Sequence, residues 1–243
     1  MFDRLAGGDL KKLVVSILLG ACSADDPAPP ATAPKPVDVA KLSWRERVAA
    51  EVAARPDGHS AAVVIDRLAR KVDPEDVRVS LVEALPRNGG VYADALADLF
   101  VDENSSKVRA AFVRVTPSDQ AVAILRRAFA DPSTEVRIAA ARLAATHTVC
   151  ERLASELRTA LADRDPALRT EAARSLGALK IEAARDELVL ALGDGSADVR
   201  LEAMRALDNI APGSLAKTAA VLALRSDPDT RVAELAQKLA VKR

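Results

Sequence analysis

The sequence predicts an all-α chain, a right-handed α-solenoid of about six helical hairpins behind an N-terminal capping helix. Three observations carry this. First, an acidic turn leads repeatedly into the same helix opening, most clearly at Asp131-Pro132-Ser133-Thr134-Glu135-Val136-Arg137 and Asp194-Gly195-Ser196-Ala197-Asp198-Val199-Arg200. The aligned Val77, Val108, Val136, Leu168, Val199 and Val232 stand 31, 28, 32, 31 and 33 residues apart. A period of this size means units that bury their apolar faces only against their neighbours. Second, the chain is rich in Ala and Leu and only 2% aromatic, which suits closely stacked helices and gives an enzyme little with which to line a pocket. Third, the stretches between apolar-periodic segments are short and punctuated by Asp, Pro, Gly and Ser, as antiparallel helix pairs require.

The elements follow in order. Residues 1–12 set Arg4, Lys11 and Lys12 against Asp3 and Asp9 and precede the apolar run Leu13 to Ala21. That run is too short to span a bilayer but fits the apolar region of a secretory signal. Its ending, Leu19-Gly20-Ala21-Cys22, resembles a bacterial lipobox. By that resemblance residues 1–21 are a lipoprotein signal peptide and Cys22 becomes the lipidated first residue. A short amphipathic or disordered tail holding one cysteine is the alternative. Residues 22–42 are rich in Pro and Ala and predict an extended, semi-rigid linker. Ser23, rather than Asp, follows the cysteine, which by the same resemblance favours the periplasmic side of an outer membrane.

The repeat domain is expected over 43–243. Ser43 and Glu46 have capping-box spacing, opening a lone helix from Trp44 to Arg55 that caps the array. Hairpins then read as Ser60–Lys71 with Pro74–Ala84, Val91–Val101 with Ser106–Val115, and Ser118–Ala130 with Ser133–Ala145. Three more follow: Val149–Ala162 with Pro166–Leu179, Ile181–Leu192 with Ala197–Ile210, and Ser214–Leu224 with Pro228–Val241.

The recurring pattern resembles the HEAT repeat of the short bacterial, bilin-lyase-type kind, D-P-x-x-x-V-R-x-x-A-A-x-x-L, with copies at Asp131 to Leu143, Asp163 to Leu176 and Asp194 to Leu207. The resemblance implies that the turn aspartate and the arginine form a structural ladder between repeats. Asp131, Asp163 and Asp194 with Arg109, Arg137, Arg169 and Arg200 take those places. Ala233 departs from the pattern where arginine is usual. The resemblance also implies that second helices line a concave binding face.

Helical geometry distributes the remaining side chains. With Val136 facing the core, Ala140 and Leu143 fall within about 40° of it, and Arg137 sits on a flank near about 100°. Arg142 points to about 240°, and Arg114, Arg174 and Arg205 are its equivalents; Ile138, at about 200°, corresponds to Leu201. The expectation is therefore a partner-binding face of Arg114, Arg142, Arg174 and Arg205 beside an aliphatic stripe including Ile138 and Leu201. Such a face suits an acidic or amphipathic protein segment. The alternative is that Ile138 and Leu201 pack against neighbouring hairpins while the arginines form a solvated face. Glu171 and Glu202, three residues before Arg174 and Arg205, are spaced to neutralise them.

Other chemistry finds little support. His59 and His147 stand far apart in sequence, Cys150 reads as a small buried hydrophobe, and no Cys/His spacing suggests a metal or any other cofactor. With 35 basic and 35 acidic side chains, and Trp44 and Tyr92 the only Trp and Tyr, nucleic acid is not expected as a partner. The functional expectation is a non-enzymatic, monomeric, lipid-anchored protein-binding scaffold of a bacterial envelope, whose membrane attachment is the N-terminal lipid alone. A cytosolic bilin lyase-like or chaperone-like protein, and a DNA-binding array resembling the alkylpurine glycosylases, are the alternatives.

Overall fold

The computed structural model describes residues 43, 45–48, 61–85, 93–116, 121–146, 152–215 and 218–241. The signal region with Cys22, the linker, Trp44, His59, Tyr92, His147 and Cys150 lie outside the described residues. Among the described residues every regular element is helical, and no helix is long and apolar enough to cross a membrane. The chain divides into two compact units, Met1–Asp102 and Glu103–Arg243. The division falls in the turn of the hairpin read as the second.

In the first unit the Ser43–Glu46 capping box is formed. Glu46 accepts the Ser43 backbone N–H at 2.8 Å, Ser43 Oγ accepts the Glu46 N–H at 3.4 Å, and residues 45–48 are helical. Helix α1 (Ala61–Arg70) buries Ala62, Ile65 and Leu68, spaced three apart on one stripe, and packs on α2 (Glu75–Glu83) and α3 (Ala93–Asp102). Lys71 takes a left-handed φ of 53° to turn the chain, and Arg67 reaches across that turn to Asp73 at 2.6 Å.

The second unit is an all-α solenoid of hairpins. Helices α4 (Ser106–Val115), α6 (Thr134–Ala144), α8 (Pro166–Ala178), α10 (Ala197–Ile210) and α12 (Thr230–Val241) are the second helices. They pack in series, α4 on α6, α6 on α8, α8 on α10 and α10 on α12. The first helices are α5 (Ala121–Phe129), α7 (Ala154–Ala160), α9 (Arg185–Ala191) and α11 (Ala219–Ala223).

The last two of these first helices are shorter than the sequence suggests. The segment read as Ile181–Leu192 is a 3₁₀ turn, Glu182–Ala184, followed by seven α-helical residues, and Ser214–Leu224 reduces to α11 with a 3₁₀ turn after it. No capping side-chain hydrogen bond marks the start of α7, α9 or α11, but α6 and α10 also lack one, so the cap alone does not set these lengths. At the head of α8, by contrast, Asp165 accepts the Ala167 N–H at 2.8 Å and Pro166 supplies a preset φ in the first turn.

The α6–α8–α10 layer is tight. Ser175 on α8 donates its hydroxyl to the carbonyl of Ala141 on α6 at 2.6 Å, satisfying a buried polar group across the helix pair. Gly177 lets α8 approach α10 so closely that a Cβ there would stand 2.5 Å from the Ala206 Cα. Helix α8 ends in a Schellman turn. The Ile181 N–H reaches the Leu176 carbonyl at 3.0 Å and the Lys180 N–H the Gly177 carbonyl at 3.2 Å, with Lys180 at a φ of 52° where glycine is usual.

Candidate binding face and its ion-pair ladders

Two ladders of charge run through the second unit. The inner one is made at the hairpin turns. Arg109 donates to both Asp131 oxygens at 2.7 and 2.9 Å, Arg169 to Asp194 at 2.8 Å twice, and Arg200 to Asp227 at 2.8 and 2.7 Å. In each rung Nε and Nη2 form the planar fork that matches a carboxylate. The Nη1 group turns the other way and caps carbonyls of its own turn: Glu103 and Asn104 for Arg109, Asp163 and Arg164 for Arg169, Asp194 and Gly195 for Arg200. Each turn aspartate also accepts the backbone N–H two residues on, at Ser133, Asp165, Ser196 and Asp229. Asp131, Asp163 and Asp194 therefore each bind the preceding repeat through the carboxylate and their own repeat through the carbonyl.

These contacts set the local protonation energetics. The Arg169 fork, with the Ser196 N–H, holds the Asp194 carboxyl below the ordinary carboxylate value, and Arg200 does the same for Asp227. At Asp163 burial pushes upward, but the Asp165 N–H and Arg137 outweigh it and the net shift is downward. Asp227 is a rung absent from the expected set, although Asp227-Pro228 with Val232 matches the D-P-x-x-x-V opening of the repeat pattern.

The Arg137–Asp163 rung is different. Its contacts are 3.2 and 3.3 Å, its Nη2 also donates to Thr134 Oγ1 at 3.0 Å, and its buried Nε has no hydrogen-bond partner. The aligned positions of the well-formed rungs hold Ser106, Pro166 and Ala197. An open cleft of about 340 Å³ lies against this rung, walled by Phe129, Leu168, Arg126 and Glu156 among others. Arg126 and Glu156 close one side at 2.7 Å, and Arg158 pairs with Glu187 one hairpin further along the first helices.

The outer ladder lies on the second helices. Arg142 Nε donates to Glu171 at 3.0 Å, and Arg174 donates to Glu171 at 2.8 Å through Nη1 and stands 3.5 Å from Glu202 through Nη2. Arg205 donates to Glu202 at 2.7 Å. Arg142, Glu171, Arg174, Glu202 and Arg205 thus alternate in sign across α6, α8 and α10. The arginine side chains are 66, 51 and 54% exposed, whereas both glutamates are only 9% exposed. Arg114 on α4 is exposed. The within-helix pairs follow from three-residue spacing; the Arg142–Glu171 and Arg174–Glu202 links between helices do not.

One expectation is corrected. Leu201 is not part of an exposed aliphatic stripe: it is buried, at 6% exposure, because α10 is flanked by α8 on one side and α12 on the other. Ile138 is half-buried. The face therefore offers charge and little apolar surface. Among the described residues no group of three or more His, Cys, Asp or Glu is placed to hold a metal ion.

Comparison with known proteins agrees with the helical-repeat class that these turns define. The family of HEAT repeats matches residues 151–240, which carry the turns at Asp163, Asp194 and Asp227 and both glutamates of the outer ladder. Among solved structures, the chain is similar to an engineered protein, with 18% identity over 95% of this chain and 94% of that one and a TM-score of 0.46. It is also similar to human deoxyhypusine hydroxylase in complex with glycerol, with 20% identity over 82% of this chain and 90% of that chain and a TM-score of 0.33. None of the curated proteins matches the chain in sequence.

Proposed function

We propose that this protein is a non-enzymatic scaffold that binds a protein partner along the second-helix face and is held by a lipid on Cys22 at a bacterial envelope membrane. The outer-membrane, periplasmic side is the expected location. The observation that carries the binding role is the outer ladder. Three half-exposed guanidiniums sit in a row, Arg142 and Arg205 each held on one edge by a buried carboxylate and Arg174 held between two, so their charge is presented without the full entropic cost of ordering long side chains. A repeat array with an interaction surface of this kind needs no reacting group. The anchor rests on the lipobox resemblance and on the proline-rich stretch that would hold the array away from a surface.

Two measurements on the full-length chain in its native cells test the reading. A photo-crosslinking residue at Arg142 or Arg205 should capture a partner that the same residue at Leu190, exposed on a first helix, does not. Capture from Leu190 alone would sink the face assignment. The intact mass of the membrane-extracted protein should begin at Cys22 with acyl chains attached; an unmodified chain beginning at Met1 removes the anchor.

A further inference from the structure

The cleft beside the Arg137 rung differs in composition from the equivalent places in the array. Phe129 stands where the next two hairpins hold Leu161 and Leu192. Both leucines are buried, whereas the larger ring is half-buried and forms part of the cleft wall. Beside it the Arg137 fork is unmade. Its Nη2 divides between Thr134 and Asp163, and its buried Nε has no acceptor. The space of about 340 Å³ lies at the low end of the about 300–1,000 Å³ typical of ligand sites, and no residue of the outer ladder lines it.

Around this space donors are in excess. Arg126 spends only its Nε on Glu156, at 2.7 Å, whereas Arg158, its equivalent one hairpin on, spends both Nε and Nη2 on Glu187. Both Nη groups of Arg126 are left over, on a side chain 59% exposed. The carboxylates are already held twice each: Glu156 also accepts the Ser155 hydroxyl at 2.7 Å, and Asp163 the Asp165 N–H at 2.9 Å. What the cleft lacks is an acceptor, and it offers an apolar floor of Phe129, Ala160 and Leu168. A carboxylate carried on an apolar body meets both needs.

The open side of the cleft selects among such ligands. A free small acid is held best where most of its surface is covered. An open cleft covers one side only, which suits the end of a longer chain whose remaining residues add contacts outside. Ser155 and Thr159, both exposed and both lining the cleft, donate their hydroxyls to Glu156 and to the Ser155 carbonyl. Each keeps lone pairs with which to accept the backbone N–H groups of a peptide.

We infer that this cleft takes the C-terminal residue of a partner chain, its apolar side chain against Phe129 and Leu168 and its carboxylate on Arg126 and Arg137. Such a site lies apart from the second-helix face and does not depend on the outer ladder being a binding surface.

The test uses the full-length chain and N-terminally labelled peptides of one sequence that differ only at their last residue, followed by fluorescence anisotropy. One ends in leucine with a free carboxylate, one in leucine amide, and one in serine with a free carboxylate. The free-acid leucine peptide should bind about tenfold tighter than either of the others. In Arg126→Gln, a change to an exposed side chain, the advantage over the amide should vanish while the advantage over serine persists. That second preference, with unchanged circular dichroism, reports that the cleft is still formed. Equal affinity for the three peptides, no binding, an acid preference that survives in Arg126→Gln, or loss of both preferences in that variant would each overturn the inference. So would displacement of the peptide by an equal concentration of N-acetyl-leucine, which would make the ligand a free small acid. A fall in affinity in Arg142→Gln as large as that in Arg126→Gln would place the carboxylate on the outer ladder and overturn it too.

Discussion

Replacing Gly177 by alanine isolates the close approach of α8 and α10. The added Cβ would stand 2.5 Å from the Ala206 Cα and 2.7 Å from its Cβ. Carbon atoms rest at about 3.5–4.0 Å, so the helices must part by about 1 Å. One of the clashing atoms is backbone, which no rotamer change relieves. Overpacking of this kind costs about 1–3 kcal/mol. Against it stands the better helix propensity of alanine, about 1 kcal/mol. With a backbone atom in the clash the cost lies in the upper part of that range, so the net loss is about 1–2 kcal/mol, which in a unit of this length lowers Tm by about 2–8 °C. Thermal unfolding followed by circular dichroism measures it, with Gly195→Ala as control, because a Cβ at Gly195 meets nothing within 4 Å. Adding Ala206→Gly should restore only part of the loss, since the backbone carbon of residue 206 would still stand in the way. A Gly177→Ala protein that melts at or above the wild type would refute the reasoning.

Three further predictions concern the turns. Asp227→Ala removes the acceptor of Arg200 and leaves a mostly buried guanidinium with only carbonyl partners; a loss of about 3 kcal/mol is expected in urea unfolding. Asp194 and Asp227 both have folded pKa values below the ordinary 3.8. As pH falls, the unfolded chain takes up protons first, so their contribution is complete above about pH 4–5 and is lost as pH drops through the lowered folded values. Acid unfolding should steepen below about pH 4, and the Asp227→Ala protein should show a shallower slope there. Lys180→Gly should raise Tm, because the left-handed φ of 52° costs a side chain about 1 kcal/mol that glycine does not incur.

The second helices were legible because each begins with a chemical signal, an acidic turn with Pro, Ser or Asp at the cap, followed by Val or Leu and, in most copies, Arg. The first helices lack such starts, and their lengths are set by what they pack against. That is why Ile181–Leu192 reads as one helix in sequence and divides in the structure. Projecting one helix correctly gives the flank of Arg142 but says nothing of the helix beside it. Glu171 is 29 residues away, and its bond to Arg142 arises only when α6 and α8 pack. Leu201 was misplaced for the same reason: an outward angle on an isolated cylinder becomes an inward one when neighbours close on both sides. Gly177 looks like any small helical residue until Ala206 is set against it.

The inner ladder has a direction: each arginine needs the turn that follows it, and each turn aspartate needs the arginine before it. At the last described turn this grammar stops, because Ala233 stands where an arginine would reach onward. Grafting a designed hairpin after Val241 therefore takes two coordinated changes, an arginine at 233 and an aspartate in the new turn. Either change alone would add a charge with no counterpart. By the same logic, an internal hairpin excised as a unit from one turn aspartate to the next should rejoin with matched rungs, making the array a modular part whose connectors are already standardised.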